Sequence, residues 1–384
     1  MEISFKNKKE KDKIIAIFDV GSTSVGGARV KLRREGDNRT PIVLDSVRLE
    51  MRDNTESSNE ELEKEAVLTL KKTAEALFNR KIGKLDEVVC VITTPWSHSK
   101  TKRISSCKHS NFKVTEKLIN ELINKEIYSI SKNLEGKDII EKLVTEISLD
   151  DKPTADPIGE SCQFLDLSLS YSFANKNFID KSKETLMSVF HSTPISFSSF
   201  SILTYLMIRD THPGNESHLI LDVAGESTDI SVINKGIFGE KFSFPFGKKT
   251  LLRELASELK IEKRDAYELF KLYYQNNLSL GHREKLKKYF ESKERYWSEE
   301  LKKCLTTIPK YHNLPSVVFL TIDPDMRKWF FEIFKNTEFS NKITLDKKFE
   351  IIILEKEDMV NICDLEEGCH DPFIMIEAIA LSRK

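Results

Sequence analysis

The sequence has little of what would place a chain outside the cytoplasm or on a charged polymer. Its six cysteines, Cys90, Cys107, Cys162, Cys304, Cys363 and Cys369, never fall in C-x-x-C spacing. That argues against a disulfide framework and for reduced, mostly buried thiols. His98, Cys107 and His109 are neighbours in sequence, yet no pair has zinc-finger spacing. No stretch approaches the roughly 20 apolar residues of a membrane span. The opening MEISFKNKKEKDK also lacks the apolar run of a signal peptide, so a cytoplasmic location is expected. An excess of one charge is missing too: 60 Lys and Arg against 61 Asp and Glu leave a formal net charge of -1. No global field draws such a chain onto nucleic acid or an anionic bilayer. No Ser-His-Asp or Cys-His arrangement stands out, and no catalytic residue is assigned.

What is present is enough apolar residue, 39% of 384, for two cores of ordinary domain size. Residues 14–18 form an apolar run that delivers Asp19 to a turn of Gly, Ser and Thr, the pattern of a buried strand ending in a carboxylate. Residues 28–31 and 42–49 continue as strands, and 59–78 carry apolar residues at close to the helical period. A valine- and isoleucine-rich strand follows at 86–93. From 94 to 174 the texture changes to a small α+β module, which includes a strand over 165–173 with every second residue apolar. The design of the first strand then returns at 219–221, with Asp222 and Val-Ala-Gly-Glu-Ser-Thr-Asp. Such a repeat is a domain duplication rather than a solenoid.

A Gly-bearing turn rich in hydroxyls suits a phosphate. Glycine admits close backbone approach, N–H and O–H groups donate to anionic oxygens, and the carboxylate can hold hydrated Mg²⁺. One such turn is an ordinary corner; two, each opening a similar half, point to a two-lobed nucleotide-binding fold. Here the sequence resembles the actin-like ATPases, and within them the FtsA-like and PilM-like proteins of cell division and type IV pilus assembly. Asp19-Val-Gly-Ser-Thr-Ser24 resembles their first phosphate motif and Asp222-Val-Ala-Gly-Glu-Ser-Thr-Asp229 the second. Phe246-Gly247 stands where they have a Gly-Gly pair, and residues 266–271, Ala-Tyr-Glu-Leu-Phe-Lys, resemble their Ala-Glu-x-x-Lys helix.

The resemblance implies an α/β, two-lobed actin-like fold, duplicated on a ribonuclease H-like plan, with a small SHS2-like α+β subdomain inserted in the first lobe. The expected divisions are a flexible tail over 1–13, the first lobe over 14–85 and 178–212, the insertion over 86–177, and the second lobe over 213–384. A helical subdomain is expected near 254–312. The resemblance further implies ATP with Mg²⁺ as cofactor, held by Asp19, Gly21, Ser22, Thr23, Ser24, Asp222, Gly225, Ser227, Thr228, Gly247, Glu268 and Lys271. The metal would fall to Asp19 and Asp222.

Departures accompany the matches. Ala224 replaces one glycine of the second motif, Lys248 follows Gly247, and the strand over 317–320 leads into Thr321-Ile-Asp-Pro-Asp325 where a Gly-Gly turn is expected. Asp323 and Pro324 beside the cleft would crowd a base and repel phosphates. The implied function is a cytoplasmic scaffold or adaptor, peripheral at the inner membrane. It would recruit a short peptide segment of an inner-membrane or filament-forming protein, with self-association as a further expectation. The rival readings are an actin-fold ATPase or phosphotransferase with turnover, and a nucleotide-free pseudo-ATPase. The apolar C-terminal segment over 371–381 has almost no polar face, so a buried helix is expected there rather than a membrane anchor. The strand over 165–173 is a candidate acceptor for an added peptide strand, should it lie at a sheet edge.

Overall fold

The computed structural model describes residues 11–33, 39–52, 59–80, 83–275, 277–307, 314–337 and 349–384. Residues 1–10 of the expected tail, part of the polar stretch after residue 33 and the end of the expected helical subdomain lie outside them.

Strands β1 (Lys13–Val20), β2 (Ser24–Leu32) and β3 (Ile42–Glu50) form an antiparallel meander. Strand β4 (Glu87–Ile92) pairs in parallel with β1, and β9 (Ile195–Ser199) in parallel with β4. With β15 (Asp364–Leu365) at the edge, the order is β15-β3-β2-β1-β4-β9. The second sheet repeats the plan. Strands β10 (His218–Val223), β11 (Thr228–Asn234) and β12 (Ile237–Phe244) make the meander, and β13 (Val317–Ile322) and β14 (Glu350–Ile353) add in parallel. Even the register is shared: Asp19 lies opposite Gly26 and Asp222 opposite Asp229, each one residue before the end of its strand. The chain is thus the two-lobed α/β duplication its motifs imply.

The central strands read as near-continuous apolar runs because both their faces are covered. Ala16 and Phe18 of β1 face helix α1 (Asn59–Phe78), whose Leu70, Ala74 and Leu77 form its buried stripe. Ile15 and Ile17 face the other way, into a core shared by both lobes. Helices α4 (Phe200–Thr211) and α10 (Pro372–Arg383), the latter preceded by the short α9 (Lys356–Met359), fill that core, packing also on Ile220 and Phe319 of the second sheet. Helix α10 is buried as its composition implies; Asp371 caps it by accepting from the N–H groups of Phe373 and Ile374, and Pro372 occupies its first turn. The outer face of the second sheet is covered by α5 (Lys248–Leu259), α6 (Lys263–Tyr274), α7 (Leu280–Thr306) and α8 (Arg327–Asn336) around Trp297 and Trp329. Among the described residues, no helix is long and apolar enough to cross a membrane.

A third sheet lies between β4 and α3 (Lys176–Phe190) in sequence, built from β5 (Ser97–Lys113), β6 (Lys137–Leu149), β7 (Lys152–Pro153) and β8 (Ser161–Asn175). Helix α2 (Glu116–Lys132) covers one face, with Ile119 and Ile123 against Leu165, Leu167 and Leu169. Two expectations are corrected. The boundary placed at 86 is too early, because β4 is an interior strand of the first lobe and the third sheet begins at β5. The alternating strand, β8, is not an edge: it is paired with β5 on one side and β6 on the other, and its apolar face packs on α2. Period-two alternation reports one buried face but is silent on how many neighbours a strand has.

Candidate functional site

The turns after β1 and β10 are built alike. In each, the residue two after the aspartate donates its N–H to the carbonyl of the residue five after it: Gly21 to Ser24 at 3.1 Å and Ala224 to Ser227 at 3.0 Å. The turns meet face to face. Asp19, Gly21, Ser22, Thr23, Ser24, Asp222 and Gly225 line one small cavity of about 50 Å³, with Arg48, Asp323 and Phe373. The expected convergence of both aspartates on one cleft therefore occurs.

The cleft is closed at that point. A Cβ on Gly225 would fall 2.0 Å from Thr23 Cγ2, so the glycine admits the opposing threonine. The Glu226 N–H donates to Ser22 Oγ at 3.3 Å, and Lys249 Nζ donates to the Ser22 carbonyl at 3.2 Å. Gly247 is needed for contact within the second lobe: a Cβ there would lie 2.3 Å from the Ala224 carbonyl oxygen. That closeness lets the N–H groups of Lys248 and Lys249 donate to the carbonyls of Ala224 and Gly225. Two of the donors that a helix N-terminus offers an anion are thereby used internally.

What faces Asp19 is an arginine. Arg48 on β3 donates from Nη2 to Asp19 Oδ2 at 2.7 Å, from Nε to Asp371 Oδ2 at 2.7 Å and from Nη1 to Ser24 Oγ at 3.0 Å. Gly26 on the adjacent strand makes the space, since a Cβ there would lie 2.5 Å from the guanidinium. Burial alone disfavours the guanidinium's charge, but Asp371 and Asp19 more than restore it and hold its pKa well above the ordinary arginine value. Burial pushes the Asp19 carboxyl up, while Arg48 pulls it down. Glu377, one turn into α10, is fully buried with both carboxyl oxygens unpartnered among the described residues. Burial, then Asp19, push its pKa far up, so it is held as the neutral acid.

Asp222 is treated differently. It accepts from Thr321 Oγ1 at 2.7 Å, and burial followed by the charge of Asp229 raises its pKa to about 7. Asp229 is itself in a buried pair with Lys241 at 2.9 Å, with the two side chains 4% and 7% exposed. Lys241 also reaches across the lobes to Thr94 Oγ1.

The remaining expected residues do not join this cavity. Thr228 Oγ1 donates to the Phe246 carbonyl at 2.7 Å and accepts from Trp297 Nε1 at 3.0 Å, so its hydroxyl knits the second lobe's core. Ser227 is buried, with its hydroxyl unpartnered among the described residues. Glu268 and Lys271 form a surface ion pair at 2.7 Å on α6, with Lys271 Nζ over the Tyr267 ring. Asp323 does lie beside the cavity, but its expected repulsion is offset: Lys248 Nζ bonds Asp323 at 3.1 Å and Asp325 at 2.9 Å. Two departures that look independent in sequence thus neutralise each other. Arg48 was not anticipated. Its signal was an arginine in the apolar alternation of β3, three residues before the buried Met51, but no spacing rule ties it to Asp19.

Beyond Thr23 the cleft widens into an opening of about 1440 Å³ between Glu50, Met51 and helices α5 and α6, with Lys249, Lys260, Lys263 and Tyr267 on its wall. Those residues could hold a nucleoside and its phosphates. The aspartates do not fit a hydrated Mg²⁺ in this arrangement. One is ion-paired to a partly buried guanidinium, the other accepts from Thr321 Oγ1, and about 50 Å³ is far less than a metal-bound triphosphate occupies.

No family model matches the chain, and no curated protein matches it in sequence. Among solved structures it is similar, at TM-score 0.60 and 10% identity, to a chain described as "PilM-PilN type IV pilus biogenesis complex", covering 97% of each. A Bacteroides thetaiotaomicron protein with actin-like ATPase fold and unknown function matches at TM-score 0.40 and 10% identity, over 98% of this chain and 99% of that one. The ethanolamine utilization protein EutJ of Carboxydothermus hydrogenoformans matches at 0.41 and 11%, over 98% and 91%. At 10% identity, the likeness to the PilM–PilN chain at TM-score 0.60 is one of fold.

Proposed function

We propose that the protein is an actin-fold adaptor whose metal-nucleotide centre has been replaced by internal ion pairs, and that it works by holding a partner rather than by turnover. The observation that carries this reading is Arg48: a partly buried guanidinium bonded to Asp19 and Asp371 occupies the place where a cation would face the first phosphate turn. An arginine is permanently charged and cannot be released as a metal can, so the first turn is closed without a ligand. By similarity to the PilM–PilN structure, the partner is a short segment of an inner-membrane protein, and the chain sits at the membrane face of the cytoplasm through it. The inserted sheet supplies the docking surface, with β5, an edge strand paired with β8 alone, in place of the interior β8.

Calorimetric titration with Mg-ATP, together with a phosphate-release assay, tests the reading: neither saturable Mg-dependent binding nor release is expected. Micromolar Mg-ATP binding that is lost in Asp19→Asn would overturn it. For the partner, a photo-crosslinker at Ser106 of β5 should capture a membrane protein that one at Leu259 of α5 does not. A second reading is favoured by the 1440 Å³ opening: a nucleotide could be held there as a structural ligand, without metal at Asp19. It predicts ATP binding that is indifferent to Mg²⁺ and weakened by Tyr267→Ala.

A further inference from the structure

A separate opening of about 550 Å³ lies between the inserted sheet and the second lobe. One wall carries His98 and Lys100 of β5, Lys137 of β6 and Phe173 of β8; Glu240 and Lys241 of β12 stand on the other. The ammonium groups of Lys100 and Lys137 lie 5.9 and 5.4 Å from the centroid of the same Phe173 ring, and the His98 ring lies 5.7 Å from it. Lys241 is already committed to Asp229 and Thr94. Lys100 and Lys137 have no carboxylate within ion-pair distance among the described residues, and their contact is with the ring. Two ammonium groups gathered on one ring repel each other, a cost that a bound anion would reduce, with Glu240 on the facing wall setting the limit on how close it comes.

His98 feels the same charges. Burial lowers its pKa, and Lys241, Lys137 and Lys100 lower it further against the opposing effect of Asp229. The field that disfavours an imidazolium favours an anion. The size suits a small molecule, since ligand sites commonly span about 300 to 1,000 Å³. Beside the opening, β12 packs on the inserted sheet, where Thr101 Oγ1 donates to the Phe238 carbonyl.

We propose that this opening binds a small phosphorylated molecule, up to mononucleotide size, with its phosphate held between Lys100 and Lys137. The site is distinct from the Asp19–Asp222 cavity. Its walls come from the inserted sheet and from the second lobe, so a bound phosphate would clamp the two together and couple ligand level to the surface on which a partner docks.

Inorganic pyrophosphate is the probe, titrated by calorimetry at low ionic strength without Mg²⁺ into the full chain. One saturable site is expected. It should weaken at least about tenfold in Lys100→Ala/Lys137→Ala and stay unchanged in Lys260→Ala/Lys263→Ala, which alters the wider cleft instead. Both lysine pairs are at the surface, and melting curves would verify folding. Proton NMR of His98 supplies a readout that a structural role would not move: its titration should shift toward higher pH when pyrophosphate is bound. Absence of saturable binding, equal binding by the Lys100/Lys137 variant, or binding that leaves His98 unmoved would each overturn the assignment.

Discussion

The two aspartate turns share one backbone design and one strand register, yet their carboxylates have met opposite fates. In the first lobe Asp19 is paired with Arg48, within a chain that continues to Asp371 and the cap of α10. In the second lobe Asp222 has no ion-pair partner among the described residues and takes a hydroxyl hydrogen bond from Thr321, while the nearby lysine is spent on Asp229. The duplication therefore preserved the corner and not its chemistry. A turn can keep its aspartate for folding alone, because a buried carboxylate needs some partner and any well-placed donor will serve.

The comparison can be broken most forcefully at Arg48. Arg48→Ala leaves Asp19 and Asp371 buried beside the neutral Glu377 without their cation, and should cost about 3–5 kcal/mol in urea unfolding. A loss below about 1 kcal/mol would mean that solvent already satisfies those carboxylates. Gly26→Ala sharpens the same point without removing charge. Its methyl would lie 2.5 Å from the guanidinium, so a cost of about 1–3 kcal/mol is expected from displacing a packed group. A neutral result would show that Arg48 has room to move.

The second turn should answer to pH instead. The Asp222 carboxyl titrates at about 7 against an ordinary 3.8. A raised acid contributes stability that is complete below about pH 4 and is lost as pH climbs through about 7. Asp222→Asn should therefore melt close to wild type at pH 5 and be more stable by about 1–2 kcal/mol at pH 8, the half-buried position limiting the gain. Equal effects at both pH values would place the carboxylate in its ordinary range.

Much of the fold is legible in the sequence because its signals are local. Apolar runs ending at Asp19 and Asp222, the helical period of α1 and the unbroken apolarity of α10 each report burial directly. Less of the site is legible. The residues of the first turn and Asp222 and Gly225 come together as their motifs imply, whereas Thr228 turns its hydroxyl into the core and Glu268 and Lys271 pair on the surface. Hydroxyls and ion pairs have the same spelling whether they meet a ligand or a tryptophan. The unread part is pairwise and distant: Arg48 meets Asp371 across 323 positions, and Lys248 meets Asp325 across 77. No period or spacing carries such contacts, and neither does the count of neighbours on each side of β8.

The most direct test of the central claim, that Arg48 has taken the place of a metal at Asp19, is a double-mutant cycle. Urea unfolding of wild type, Asp19→Asn, Arg48→Met and the double variant, each with and without millimolar MgCl₂, gives the coupling between the two side chains. We predict a coupling of about 2–3 kcal/mol, with the double variant less destabilised than the sum of the singles and no effect of Mg²⁺ on wild type. Additive singles, together with Mg²⁺ stabilisation of wild type that disappears in Asp19→Asn, would contradict the claim and return the first turn to metal binding.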